Sequence, residues 1–181
     1  MELVELLLGI AVLLLVVVLF GFHLSWRATR LDRLHARIET ARAALDAALL
    51  QRCAVVLDVA TSGMLDPASA VILAEAEKEA RDLAVDGTLG PQRAAAERDL
   101  GEAVKAFLDQ PDLREQLCSD PRTADRGMSL LAELEAASHR VIISMQFYNE
   151  TVAITLRSRE RWLARLFRLS GSAPAPTPFA A

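Results

Sequence analysis

Three histidines, His23, His35 and His139, stand far apart in the chain, and none belongs to an HExxH or ExxH pair. No glycine-rich phosphate loop, GxSxG elbow or calcium-loop pattern accompanies them. Glu75, Glu77 and Glu79 form an acidic cluster. Their i, i+2 spacing on a helix turns them to different faces, which reads as solvated surface rather than a metal cage. Cys53 and Cys118 lack CxxC or zinc-type spacing. Each lies among apolar helical neighbours and is expected to be a buried, inert thiol, with a disulfide left open for an oxidising compartment. No catalytic constellation, cofactor site or metal site emerges, so a non-enzyme is expected, with an unrecognised hydrolase as the rival.

A second group of polar residues has a different use. Arg52 occupies a core place in an apolar heptad pattern, and Asp46 precedes it by one and a half turns. Glu135, Arg140, Tyr148 and Asn149 lie along a later helical stretch. An ion pair between helices, such as Arg52 with Glu135, would set register rather than do chemistry. A ligand site is the competing reading of the same residues.

These side chains need helices to hold them. Ala, Leu, Arg and Glu dominate, and they lose little rotamer freedom in a helix. Leu31, Leu34, Ile38, Ala41, Leu45, Ala48, Val55 and Val59 alternate three- and four-residue steps, with Arg52 in the one remaining place. That is the seam of a helix packed on other helices, with coiled-coil character. Thr61-Ser62-Gly63 stops it, and Asp66-Pro67 caps the next helix, expected over 67–85 with Val71, Leu73, Ala74, Lys78 and Leu83 in a weaker pattern. A turn at 86–91 precedes a helix over 91–108, and a short helical turn is expected at 113–118 between Pro111 and Pro121. The last helix, expected over 123–167, carries the stripe Leu130, Leu134, Ala137, Val141, Met145, Tyr148 and Val152. The fold class is therefore all-α: an antiparallel four-helix bundle with long first and last helices.

Residues 6–22 contain no charge and read LLLGIAVLLLVVVLFGF. With Val4 and Leu24 they approach the ~20 apolar residues that cross a ~30 Å hydrocarbon core. The acidic Glu2 and Glu5 and the lack of a small-x-small cleavage site argue against a signal peptide. Residues 1–26 are expected to be a transmembrane anchor, 27–169 the bundle and 170–181 a disordered Pro/Ala-rich tail. Arg27, Arg30, Arg33 and Arg37 follow the span, whereas no Lys or Arg precedes it. The positive-inside rule then puts the bundle in the cytoplasm and the N-terminus outside the cell membrane. An up-down-up-down bundle returns its last helix to the bilayer. There Arg161, Arg165 and Arg168, opposite Trp162, Leu163, Leu166 and Phe167, form the pattern of an amphipathic helix in the headgroup region. Arg27, Arg30, Arg33, Arg161, Trp162, Arg165, Phe167 and Arg168 are the expected membrane-surface contacts. The net charge of −4 carries no nucleic-acid signal.

The stretch Leu31-x-x-Leu34-x-x-Arg37-Ile38-Glu39, continuing through Leu45-Asp46 to Leu49-x-x-Arg52, resembles the first block of the LemA family. Leu134-Glu135, Arg140-Val141 and Gln146-Phe147-Tyr148-Asn149-Glu150 resemble its second. The middle helices match in length and character only. After Asn149 the chain departs from the family pattern, with the Arg/Trp/Leu stretch and the Pro-rich tail in place of the usual Tyr-Asn repeat. The resemblance implies an N-terminal anchor, a small outside N-terminus and an antiparallel helical bundle, without an assigned biochemical activity. The expected function is a non-catalytic membrane scaffold or partner-recruiting module. The alternative is a regulatory subunit or envelope-state sensor. The expected partners are the lipid bilayer, a protein of unknown identity and, as an open option, a second copy of the chain.

Overall fold

The computed structural model describes residues 2–159 and 176–181. Within its long helices, the side chains of residues 2–8, 11–12, 23–32, 34–35 and 158–159 fall outside that description. The described residues are helical apart from turns and loops, and contain no strand. In chain order they form α1 (Glu2–Thr61), α2 (Pro67–Asp82), α3 (Pro91–Leu108), α4 (Leu113–Leu117) and α5 (Ala124–Arg159). The protein is all-α.

The helices end where the sequence supplies a physical reason. α1 continues through the expected membrane surface without a break, since no proline interrupts it. It stops where Gly63 adopts φ 72°, a left-handed conformation that costs a side-chain-bearing residue far more. Asp66 caps α2, its Oδ1 accepting from the amides of Ala68 and Ser69, both at 3.0 Å, with Pro67 at the first helical position. Residues 83–86 form turns, so α2 is shorter than the expected 67–85. The 91–108 helix has its expected bounds. The short turn at 113–118 is α4. The final helix is described as far as Arg159, so its expected extension to 167 lies outside the described residues, as do Arg161, Trp162, Arg165, Phe167 and Arg168.

The chain divides into two compact units, one of Met1–Glu39 with Thr151–Pro176, the other of Thr40–Glu150 with Thr177–Ala181. In the first, α1 carries Leu13, Leu14, Leu15, Val16, Val17, Val18, Leu19 and Phe20 in succession, each between 51% and 64% exposed. Arg33 and Arg37 are exposed. Arg27 and Arg30 belong to α1, but their side chains lie outside the description. Among the described residues, no helix is long and apolar enough to cross a membrane. Part of the expected 6–22 span lies outside that set.

The second unit holds a continuous apolar core. α1 contributes Cys53, Val55, Val56 and Val59, α2 Leu73 and Ala80, and α3 Ala96, Leu100, Val104 and Phe107. α4 adds Leu113 and Leu117, and α5 adds Leu131, Leu134 and Ala137. Every heptad position of α1 from Ile38 to Val59, Arg52 included, is buried. The α2 stripe differs from expectation: Val71 and Lys78 are exposed, and the buried face is Leu73, Glu77 and Ala80. Glu77 goes inside because Arg81, one turn on, pairs with it. A count of apolar residues alone gives that position to solvent.

Hydrogen bonds set helix directions. Gln110, just past α3, donates to Ser69 at the start of α2 (3.5 Å), so α2 and α3 are antiparallel. Arg42 donates to the Gly87 carbonyl (2.6 Å), Asp46 pairs with Arg93 and Arg52 with Glu97, so α1 and α3 ascend together.

One expectation is corrected. Cys118 is exposed rather than buried, because it sits at the end of the single-turn α4 with solvent on its outer side; both thiols are free. Of the tail expected over 170–181, residues 176–181 are described, and Phe179 there is buried.

Candidate functional site

Within the second unit, four side chains of α1 and α3 form a polar layer, three of them buried and Asp46 partly exposed. Arg52, 6% exposed, donates through Nη2 to both Oε2 and the backbone carbonyl of Glu97, each at 2.7 Å. Glu97 is 1% exposed, and its Oε1 lies 3.8 Å from Nε of Arg93, itself 2% exposed. Arg93 reaches Asp46 at 2.5 Å. Gly101 makes room for the guanidinium: a Cβ there would meet Nη1 of Arg52 at 3.3 Å. Burial raises the carboxyl of Glu97 above its ordinary value, with the Asp46 charge adding to the rise and Arg52 and Arg93 opposing it. The neighbouring Cys53 thiol is pushed up to about 12, first by burial and then by the charges of Glu97 and Glu77. Such a thiol is a core side chain and a poor nucleophile.

Arg52 and Glu97 of this layer also line a cavity of about 410 Å³ between α3 and α5, with Val104, Leu108, Val141, Ile142 and Met145. Three buried polar atoms of residues that line it, Arg52 Nε, Glu97 Oε1 and Ser138 Oγ, have no hydrogen-bond partner among the described residues. Ala181 lies at its edge with Arg98.

The segment Thr177–Ala181 occupies the adjoining groove. Asn149 grips the backbone of Phe179 at both ends: its Oδ1 accepts from the Phe179 amide (2.8 Å), and its Nδ2 donates to the Phe179 carbonyl (2.7 Å). Tyr148 donates its hydroxyl to the Thr177 carbonyl (3.0 Å), and Arg98 donates to the Ala180 carbonyl (2.6 Å). All four bonds go to main-chain atoms, and the only buried side chain of the segment is Phe179, 2% exposed. Four hydrogen bonds at about 1 kcal/mol each and a buried Phe at about 3 kcal/mol stabilise the contact by about 7 kcal/mol. Ordering five residues opposes this by about 5–10 kcal/mol.

The interhelical polar residues are thus placed individually. Asp46 and Arg52 join α1 to α3 through Arg93 and Glu97. The expected Arg52–Glu135 pair does not form; Glu135 is half-exposed and lies 3.6 Å from Arg114 of α4. Arg140 bonds Gln51 of α1 (3.0 Å) from an exposed position. Tyr148 and Asn149 hold the tail segment instead of another helix. Sequence reasoning passed over Glu97, Arg93, Arg98 and Phe179. The i, i+4 pair Arg93/Glu97 beside Ala96 and Leu100 was a signal for the first two, and a lone Phe in a Pro/Ala tail for the last. Glu75 and Glu79 are exposed while Glu77 is buried, so the acidic cluster is divided between faces. His139 is exposed on α5. No protein-family model, curated protein or solved structure matches this chain.

Proposed function

We propose that the chain is a non-catalytic single-pass membrane protein whose antiparallel four-helix bundle serves as a scaffold or partner-recruiting module at the membrane surface. The observation that carries this reading is the exposed run on α1. Eight consecutive apolar residues at 100° per residue cover every side of a helix. Leaving them in water forgoes about 1.5–3 kcal/mol per large side chain, whereas a bilayer supplies an apolar surround on all sides. The flanking arginines, Arg33 and Arg37 exposed among them, favour a cytoplasmic bundle. The α1–α3 and α2–α3 directions agree with an up-down-up-down bundle, as does Glu135 of α5 lying beside Arg114, past the end of α3. The resemblance to the LemA family supports the same architecture. Arg161, Trp162, Arg165, Phe167 and Arg168 complete the proposal as a second contact with the headgroups.

The test is extraction of the full chain expressed in cells. It stays in the membrane pellet through an alkaline carbonate wash and leaves with detergent. Replacing Leu14 and Val17 by Arg, about 3 kcal/mol each at a bilayer centre, moves it to the supernatant. Full chain in the carbonate supernatant refutes the anchor. The regulatory-subunit reading draws on one observation, the docking of Thr177–Ala181 through main-chain hydrogen bonds, which gives the bundle a contact that a partner can compete for.

A further inference from the structure

We infer that the groove of Tyr148, Asn149 and Arg98 is a peptide-binding site, and that Thr177–Ala181 is its resident ligand. The partner it fits is an extended segment of another polypeptide with one bulky apolar side chain at the Phe179 place and small residues after it. This deepens the partner-recruiting half of the proposed function and stands independently of the membrane anchor.

The hydrogen-bond pattern carries the inference. Here a five-residue segment without helix or strand is held through its main chain by side chains of α3 and α5. A side-chain amide that accepts from the N–H and donates to the C=O of one residue imitates the pairing of a β-strand edge. It reads any extended backbone, as peptide-recognition sites do, and leaves selectivity to a single pocket. Phe179 is buried, while Thr177, Pro178 and Ala180 are exposed and therefore replaceable. Pro178 lacks an amide proton and keeps Thr177 extended, so the resident segment is preshaped for this mode. Ala181 itself lines the cavity of about 410 Å³, together with Leu108, Ile142 and Met145.

The experiment uses the full chain in detergent and a fluorescein-labelled peptide, Ala-Pro-Thr-Pro-Phe-Ala-Ala, read by anisotropy. Deleting Thr177–Ala181 opens the groove, and the peptide binds the deleted chain at least tenfold more tightly than the intact one. Asn149→Ala in the deleted chain weakens binding at least tenfold, as does Phe→Ala in the peptide. Phe179→Ala in the intact chain is the second variant, and it too raises peptide affinity. Equal binding to intact and opened chains, or none to an opened chain with unchanged helical circular dichroism, overturns the inference. Loss of helical signal in both variants makes the segment a core element and overturns it as well. If the intact chain dimerises and Phe179→Ala abolishes the dimer, the occupant is a second copy, contrary to the partner proposed. Carbonate extraction of the same variants reads the anchor separately, so the two ideas fail independently.

Discussion

Glu97 shows how one residue is both costly and necessary. Its carboxylate is buried against two guanidinium groups, and burial outweighs their attraction enough to raise its proton affinity. The folded state therefore binds this proton more tightly than the unfolded chain. The charged form costs stability once pH exceeds the raised value. Acidification from there toward the ordinary 4.5 removes that cost, so the Glu97 contribution grows as pH falls through this window. Removing the side chain is a different matter. Glu97→Ala leaves Arg52 buried without its partner and is expected to destabilise the protein by about 3–5 kcal/mol in chemical denaturation. The double replacement Arg52→Met with Glu97→Leu recovers most of that loss, since a packed apolar pair needs no solvation. A single variant as stable as the parent contradicts the assigned pairing. Arg52 at a heptad core place was legible in the sequence, whereas its partner was not. Glu135 and Glu97 were both helical acids, and only the packing of α3 on α1 chose between them.

At the scale of elements, the boundaries were the most readable feature. Proline at the first turn, an Asp before it and glycine after the last turn act within four residues, so their effect survives any tertiary arrangement. Asp66→Ala removes the acceptor of two amides and is expected to lower stability by about 1 kcal/mol, checked by the same denaturation. Asp66→Asn retains an acceptor at that place and loses less. The faces of helices were less readable than their ends. The α1 and α5 stripes emerged from alternating three- and four-residue steps, but α2 did not, because a buried Glu77 interrupts its apolar period. A charge inside a helix interface cannot be seen from hydropathy, since its burial depends on a partner one turn away.

For the whole molecule, the placement of the second unit relative to a bilayer is the question with functional weight. The two cysteines provide a clean probe. Cys53 is buried with its thiol pushed up to about 12, so at pH 8 only about one in ten thousand such groups is the reactive thiolate. Cys118 is exposed and reports for the unit that carries it. A membrane-impermeant maleimide is expected to leave intact cells' copies of the chain unlabelled and to modify one thiol after lysis, counted by mass. Labelling of Cys118 before lysis would place the unit outside the cell, and Cys118→Ser identifies the site.

What the residues determined alone was local and periodic: helix content, helix ends, the seam of α1, and an uncharged apolar run near the N-terminus. Each rests on forces acting between residues a turn or two apart, or on hydration of single side chains. What tertiary structure decided was pairing over distance. It matched Arg52 to Glu97 rather than Glu135, turned Cys118 outward, and seated Phe179 against Asn149 although its segment is poor in apolar residues. Such choices depend on which groups the packed helices leave unsatisfied, and that becomes defined only once the helices have met.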